Sequence, residues 1–266
     1  MADSTPPPGP QRPATSTPVD PVDPVDPVDP VDPVAVATAL ALPLEWLPVG
    51  ESPAQLIVLL HGWASDGGAM APLAQALRAK FPQAALLAPD GWDAADGGRP
   101  GRQWYGLDEL TPQNWPERVD AGVTRLRPWV RAQQRRLGVG SAATALAGFS
   151  QGAVLALALA LAEDGLAGRV LAFGGCLTRM PEAAPERTTV HLFHGNDDEV
   201  IPAEGARQAF RVLGDLQGDA TLDVARGVGH VLHPALIDCA LHRLQSHIPA
   251  RTWREALGAA PSAGRH

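Results

Sequence analysis

The sequence Gly-Phe-Ser-Gln-Gly at residues 148–152 lies between an apolar run typical of a buried strand and an Ala- and Leu-rich run typical of a helix. A serine at this junction predicts a sharp strand-to-helix turn that lifts the hydroxyl of Ser150 above the end of a sheet. Glycines at 148 and 152 permit the turn, because side chains there would collide with the adjoining backbone. A glycine-flanked surface turn is the alternative interpretation, so the rest of the sequence has to decide between them.

Strand-like and helix-like runs alternate along the chain, which predicts an α/β fold: a mostly parallel central sheet with helices on both faces. The strands are predicted at 55–60, 84–88, 143–149, 169–173, 188–193 and 220–225. The helices are predicted at 69–80, 116–137 with a kink at Pro128, 152–163, 203–217 and 234–247. A Gly-, Pro- and Asp-rich loop is expected from the second strand to about residue 113.

Charge and composition exclude several classes of protein. The formal net charge is −8, but the first 34 residues hold six Asp and one Arg, so the remainder is nearly neutral. A nearly neutral body has no basic face for nucleic acid or for an anionic membrane. The two cysteines, Cys176 and Cys239, form neither a disulfide framework nor a metal-ligand cluster. Reduced thiols in the cytoplasm are the simplest interpretation.

The domain boundaries are predicted from changes in composition. Residues 1–33 contain five repeats of Pro-Val-Asp and are expected to be a disordered tail, because proline at every third position blocks helices and strand pairing. The folded domain is expected at 34–256 and a flexible C-terminal tail at 257–266. No basic segment followed by a long apolar one occurs near residue 1, so no secretory signal is expected, and the apolar stretch at 34–42 is too short to span a membrane. A cytoplasmic protein without stable membrane insertion is therefore expected.

A reactive serine needs a base, and the base needs a carboxylate that orients it. Where a reactive serine lies in a strand-to-helix turn of this kind, the acid and then the histidine follow it along the chain, on loops after later strands. Two candidate acids, Asp197 and Asp198, follow the strand at 188–193. Both could instead be turn or helix-capping residues, since aspartate favours such positions.

The candidate base is His230, which follows the last predicted strand and precedes the last predicted helix. His233 lies nearer the helix start, where a capping or surface role is expected. The other histidines on or beside neighbouring elements are interpreted as packing or surface groups: His191, His194, His242 and His247.

An oxyanion that forms beside Ser150 needs two backbone N–H donors. One is expected from Gln151, directly after the serine at the helix N-terminus. The other is expected from the Gly-rich loop after Leu60, where Trp63 is the candidate. A simple turn is the alternative interpretation of that loop.

Several motifs together resemble the phospholipase/carboxylesterase family, small serine esterases that include acyl-protein thioesterases. The motifs are Leu-Leu-His-Gly at 59–62, Gly-Phe-Ser-Gln-Gly at 148–152, His-Gly-Asn-Asp-Asp at 194–198 and Gly-Val-Gly-His at 227–230. The segments at 101–105 and 138–140 look especially like bacterial YpfH-type esterases. The resemblance covers roughly residues 45–256 and implies an α/β-hydrolase fold.

By this resemblance Ser150 is the nucleophile, Asp198 rather than its neighbour is the acid, and His230 is the base. The resemblance also implies that the Trp63 and Gln151 amides are the oxyanion donors. The sequence departs from the family pattern at two positions: Ala64 stands where many relatives have glycine, and Glu199 follows the acid where many have proline.

The function expected from these residues is hydrolysis of short- to medium-chain carboxylic esters through an acyl-enzyme, without a metal or cofactor. Trp104 and Tyr105 either line the substrate groove or anchor their loop to the core, and three residues are weaker candidates for the groove: Trp92, Cys176 and Leu177. No insertion resembles a large lid. The alternatives are an acyl-protein thioesterase or lysophospholipase, a non-enzymatic binding protein on the same scaffold, and a peptidase. The substrate is expected to be a small ester or thioester, and a homodimer is left open.

Overall fold

Buried apolar runs form the centre of a sheet in the computed structural model, which describes residues 43–258. Strands β2 (Gln55–Leu60), β3 (Ala84–Ala88) and β8 (Thr189–Gly195) are buried along almost their whole length. Continuous burial is typical of parallel strands that are covered on both faces. The tail predicted at 1–33 and the chain beyond 258 lie outside the described residues.

The main sheet has seven strands in the order β1-β3-β2-β6-β7-β8-β9. The remaining strands of this sheet are β1 (Leu44–Trp46), β6 (Thr144–Phe149), β7 (Arg169–Phe173) and β9 (Ala220–Ala225). All neighbouring strands are parallel except β1, which pairs antiparallel with β3. The carboxyl ends of β6, β8 and β9 therefore meet at one edge of the sheet, where ligands of such sheets gather.

Helices cover both faces of the sheet, as the sequence predicts. The helices are α1 (Ala71–Lys80), α2 (Trp115–Leu137), α3 (Gln151–Ala162), α4 (Ala203–Asp215), α5 (Pro234–Ser246) and α6 (Ala250–Gly258). One core lies under α2, α3 and α4, and a second core lies under α1 and α5. Helix α3 is buried almost all round, because α2 packs over it on the side away from the sheet.

Several boundaries differ from the predictions. The sequence between 67 and 70 forms a 3-10 turn before α1, and Ala143 closes another 3-10 turn rather than opening β6. Helix α2 continues through Pro128. Strand β8 runs two residues further than predicted and takes in His194 and Gly195.

Three short strands and one helix were not predicted. Strand β1 lies at the sheet edge. Strands β4 (Asp93–Ala94) and β5 (Arg102–Gln103) pair as a short antiparallel hairpin within the segment that was predicted to be a loop. Helix α6 follows the last predicted helix and extends two residues into the segment predicted as a flexible tail.

Candidate active site

Ser150 lies at the junction of β6 and α3 in a backbone conformation that is rare for a residue with a side chain, with φ 54° and ψ −119°. The flanking glycines make this turn feasible. A Cβ atom on Gly148 would lie 2.3 Å from the backbone of Gly152, and one on Gly152 would lie 2.2 Å from the carbonyl of Leu60. The predicted sharp turn and the predicted need for both glycines are therefore confirmed.

The structure brings Ser150, His230 and Asp198 into one hydrogen-bonded chain. The Ser150 Oγ atom lies 2.8 Å from Nε2 of His230, and Nδ1 of the same ring lies 2.7 Å from Oδ2 of Asp198. The carboxylate accepts from Nδ1–H, so Nε2 is free to accept the serine proton. The Asp198 side chain is 1% exposed and the His230 side chain 16%, so the carboxylate is shielded from solvent and the imidazole is partly accessible.

The loop after β8 fixes the orientation of Asp198. Its Oδ1 atom accepts hydrogen bonds from the backbone N–H groups of Val200 and Ile201, at 2.9 and 2.8 Å. Hydrogen bonds to a carboxylate are about twice as strong as neutral ones. Two amide donors on one oxygen leave the other oxygen directed at His230.

The two rejected neighbours occupy different environments. Asp197 is exposed and accepts from the side chain of Asn196. His233 is the N-cap of α5, where its Nδ1 accepts from the amide of Ala235. The capping role predicted for His233 is therefore confirmed.

His194 is a residue of the site that the sequence interpretation assigned only to packing or the surface. It is fully buried, and its Nε2 atom lies 2.7 Å from the carbonyl of Ile201 and 3.2 Å from Oδ2 of Asp198. Burial lowers the pKa of His194 below its ordinary value. The only local sequence signal for this contact was that His194 precedes Asp198 by four residues. The contact forms because β8 extends to Gly195 and places His194 at the end of the strand, beside the turn that carries Asp198.

The predicted oxyanion donors, Trp63 and Gln151, both border the cavity beside Ser150. Among residues 43–258, neither backbone N–H has a hydrogen-bond acceptor. The Gln151 side chain makes other contacts, since its Oε1 accepts from Trp104 N–H at 2.8 Å and its Nε2 donates to the Tyr105 carbonyl at 2.7 Å. This side-chain clamp, which was not predicted, ties the 104–105 segment to the start of α3.

His61 supports the loop that carries Trp63. Its Nε2 accepts from the Gly91 amide at 2.8 Å, so its proton is on Nδ1, which lies 2.6 Å from the Gly62 carbonyl. The indole N–H of Trp104 donates to the His61 carbonyl at 2.8 Å. The segment between β3 and α2 thus holds the loop after β2 in place through hydrogen bonds to His61.

A cavity of about 590 Å³ opens beside Ser150. Its walls are mostly apolar and include Leu107, Leu110, Trp115 and Ile201. The two residues predicted as candidates for the groove, Trp104 and Tyr105, differ in their relation to this cavity. Tyr105 lines the cavity, and its hydroxyl accepts from the indole N–H of Trp115 at 3.3 Å.

Trp104 does not line this cavity: it is 0% exposed and anchors its loop to the core. A groove role for Trp104 is therefore wrong, because its ring packs against His61 and Trp92 below the cavity floor. The weaker candidates Trp92, Cys176 and Leu177 also lie outside the cavity lining. Burial raises the pKa of the Cys176 thiol to about 11, which makes it a poor nucleophile.

A family model described as Phospholipase/Carboxylesterase matches residues 48–248, which is most of the chain. The chain belongs to the phospholipase/carboxylesterase family. It is 40% identical over 209 residues to Esterase YpfH of Escherichia coli (strain K12), a match that covers 78% of this chain and 89% of that esterase. It is 29% identical over 149 residues to Acyl-protein thioesterase 1 of Eremothecium gossypii, covering 53% of this chain and 57% of the relative.

Solved structures of other esterases share the fold. Esterase PE8 aligns with a TM-score of 0.72 and 28% identity, over 79% of this chain and 99% of that one. The Bacillus cereus carboxylesterase aligns with a TM-score of 0.66 and 15% identity, over 81% of this chain and 99% of that one. The predicted α/β-hydrolase fold of this phospholipase/carboxylesterase is confirmed.

Neither a cluster of metal ligands nor a membrane-spanning helix occurs within residues 43–258. No three His, Cys, Asp or Glu side chains in this range are grouped as metal ligands. No helix in the same range combines the length and apolar character needed to span a bilayer.

Proposed function

We propose that this member of the phospholipase/carboxylesterase family, an ester-cleaving hydrolase, works as a serine hydrolase with Ser150 as nucleophile, His230 as base and Asp198 as acid. The observation that carries the proposal is the continuous hydrogen-bonded chain from Ser150 through His230 to Asp198, which opens onto an apolar cavity. This arrangement has the parts that acyl transfer through a covalent intermediate requires.

In the first half-reaction the Ser150 oxygen attacks the ester carbonyl while Nε2 of His230 takes the hydroxyl proton. Asp198 keeps the imidazole in the Nδ1–H tautomer and stabilises the imidazolium. The Trp63 and Gln151 amides donate to the oxyanion, and each such donor typically contributes about 3 kcal/mol to stabilisation of the transition state. His230 then protonates the leaving alcohol, and the acyl group stays on Ser150.

In the second half-reaction His230 removes a proton from water, which attacks the acyl carbonyl and releases the carboxylic acid. The hydroxyl of Ser150 is restored by the proton that His230 carries. No step in this sequence requires a metal or an organic cofactor.

The apolar walls support an ester whose acyl chain is short to medium in length. A cavity of about 590 Å³ is of the size of a small-molecule site. Tyr105 faces the same space, and burial raises its pKa above the ordinary value, so its hydroxyl stays protonated near neutral pH. Thioester cleavage is the second candidate, supported by the similarity to Acyl-protein thioesterase 1 of Eremothecium gossypii.

We further propose that the enzyme is cytoplasmic and acts on a small ester or thioester. It binds no nucleic acid, does not insert into a membrane, and exists as a monomer or a homodimer. Free thiols at Cys176 and Cys239 support a reducing compartment. The formal charge outside the first 34 residues supports the exclusion of nucleic acid.

The experiment compares hydrolysis of p-nitrophenyl acetate, butyrate, octanoate and palmitate by the wild type, Ser150→Ala and the matched control Ser141→Ala. Ser141 lies in a 3-10 turn on the opposite edge of the sheet. We expect turnover to vanish in Ser150→Ala and to persist in Ser141→Ala, with the highest kcat/KM on butyrate or octanoate. Wild-type activity that survives in Ser150→Ala would overturn the proposal.

The same acyl chain presented as an ester and as a thioester separates the two substrate classes. A kcat/KM that favours the octanoyl thioester over the octanoyl ester, beyond the intrinsic difference measured with hydroxide, would move the thioesterase function to the front. Serine-dependent activity that favours the ester would support the carboxylesterase.

A further inference from the structure

We propose that His194 is a positioning residue for the hydrolytic reaction: a neutral imidazole whose Nε2–H holds the turn that carries Asp198 and shields the carboxylate oxygen that serves His230. This inference rests on the proposed function, because it gives a role to a residue behind the proposed acid. The carrying observation is the position of one ring nitrogen, 2.7 Å from the Ile201 carbonyl and 3.2 Å from Oδ2 of Asp198.

The partners of the ring determine its tautomer. A carbonyl oxygen can only accept, so Nε2 of His194 has to carry a hydrogen. The other nitrogen, Nδ1, is buried and has no hydrogen-bond partner among the described residues. A bare lone pair at that position is less costly than an unpaired N–H, and a second proton would leave a buried N–H at Nδ1 without an acceptor. The structure therefore assigns the neutral Nε2–H form.

The environment of the ring keeps it neutral. The titratable groups that face it are Asp198, whose charge favours protonation, and His230, whose protonated form opposes it. Desolvation of the buried ring is the larger effect and lowers the pKa of His194. At neutral pH the ring is therefore uncharged and acts as a hydrogen-bond donor through Nε2–H.

Two histidines thus address the same oxygen of Asp198. His230 makes the short contact at 2.7 Å, and the Nε2–H of His194 lies 3.2 Å away on the buried side. The positive end of the His194 N–H dipole offsets part of the carboxylate charge. Without it, the carboxylate would attract the protonated form of His230 more strongly.

The bond to Ile201 adds a geometric effect. Residues 200 and 201 supply the two amides that hold Oδ1 of Asp198. By accepting from His194, the Ile201 carbonyl anchors the same peptide segment to the end of β8. One imidazole therefore fixes the position of both carboxylate oxygens, one through the turn and one directly.

The test uses His194→Phe, which keeps a ring without a donor, and His194→Gln, which keeps a side-chain N–H. The matched control is His242→Gln on the exposed side of α5. With p-nitrophenyl butyrate, we expect kcat of His194→Phe to fall about tenfold or more, as for loss of a hydrogen bond to a charged group. KM should change little, because His194 does not line the cavity.

The decisive kinetic readout is the pH profile of kcat/KM. We expect its acid limb to move to higher pH in His194→Phe, and we expect His194→Gln to recover most of both kcat and the wild-type profile. A loss of kcat with an unmoved acid limb, or a loss that His194→Gln does not recover, would reduce His194 to a packing residue and overturn the proposal.

A spectroscopic readout keeps the inference testable even if His194→Phe does not fold. In the wild type labelled with ¹⁵N-histidine, long-range ¹H–¹⁵N spectra should show His194 as the neutral Nε2–H tautomer at pH 7 and above. An Nδ1–H tautomer or an imidazolium at pH 7 would overturn the inference. This measurement does not depend on activity, so its failure is distinct from a failure of the serine hydrolase proposal.

Discussion

The indole N–H of Trp63 donates to Oε1 of Gln103 at 2.9 Å, across the gap between the loop after β2 and the β4–β5 hairpin. Gln103 in turn donates from Nε2 to Asp96 at 2.7 Å. The other Asp96 oxygen accepts from the amides of Leu107 and Asp108, in the segment that forms one wall of the cavity. The proposed oxyanion donor and the proposed acyl wall are therefore joined by two side chains.

The first prediction concerns this link. Gln103→Leu replaces a buried amide with an apolar side chain of similar size, leaves the Trp63 indole N–H without its acceptor and removes the side-chain hydrogen bond to Asp96. We expect kcat/KM on p-nitrophenyl butyrate to fall about tenfold, because a buried polar group that loses its partner costs about 1 to 3 kcal/mol. The control is Gln208→Leu on the exposed side of α4. If Gln103→Leu and the control have equal activity, the hydrogen bonds of Gln103 do not contribute to the reaction and the prediction is wrong.

The second prediction discriminates between adjacent carboxylates. Asp198→Asn keeps the size of the side chain but loses the charge that holds the His230 tautomer, so kcat should fall by about a thousandfold or more. Asp197→Asn, one residue earlier on the exposed side of the turn, should stay within about twofold of the wild type. Steady-state kinetics on one ester decide the matter, and a larger loss in Asp197→Asn would exchange the two roles.

The third prediction concerns stability in acid. His191 is fully buried, with Nδ1 2.8 Å from Thr221 Oγ1 and Nε2 3.0 Å from the Arg169 guanidinium. Burial, and then the charge of Arg169, lower the pKa of His191 to about 3. In the unfolded chain the value is about 6.5, so between these values the unfolded state binds more protons.

The stability that neutral His191 allows is therefore complete above about pH 6.5 and is lost as the pH falls toward 3, by up to about 1.4 kcal/mol per pH unit. Urea unfolding of the wild type and His191→Gln at pH 7 and pH 5 measures this contribution. We expect the variant to be less stable at pH 7 but to lose about 2 kcal/mol less than the wild type on acidification. Parallel losses in the two proteins would refute the assignment.

The fourth prediction follows from a departure from the family pattern. The resemblance described above implies glycine at the position of Ala64, whose φ of 54° lies in the left-handed region. That conformation costs alanine about 1 to 2 kcal/mol, whereas glycine adds about 0.4 to 1 kcal/mol of unfolded-state entropy. The first effect is larger, so Ala64→Gly should stabilise the protein.

Thermal unfolding should show a rise in Tm of about 2 °C for Ala64→Gly. The same substitution within a helix, Ala158→Gly in α3, should lower Tm, since glycine costs about 1 kcal/mol in a helix interior. If both variants lower Tm to the same extent, the strain at residue 64 is relieved by contacts of its methyl group.

The sequence predicted the elements that have long apolar runs. Strand β2 occupies its predicted range, because five consecutive buried residues leave a strong signal. The hairpin of β4 and β5 was not predicted, because two-residue strands show no periodicity. Strand β1 was not predicted either, since an edge strand of three residues, two of them exposed, has no apolar run.

At the site, the positions of the motifs after strands and the family resemblance together predicted which residues meet, but not how they are supported. The hydrogen bonds that join Ser150, His230 and Asp198 were predictable, because each residue lies in a loop at the carboxyl end of a strand. The side-chain bonds of Gln103 and Gln151 depend on where the 91–105 segment folds back, and nothing local in the sequence determines this. Trp104 illustrates the limit, because a large aromatic residue beside a flexible loop is compatible with either a cavity wall or a buried anchor.

The order of strands in the sheet has a consequence for the newly made chain. Ser150 and His230 are 80 residues apart, and the segment with His230 leaves the ribosome long after the serine turn can form. Until β9 joins the sheet beside β8 and the segment after it takes its place, the proposed nucleophile has no base. Full chemical reactivity is thus among the last properties that the protein acquires during its synthesis, because a partly folded chain carries a serine without a general base.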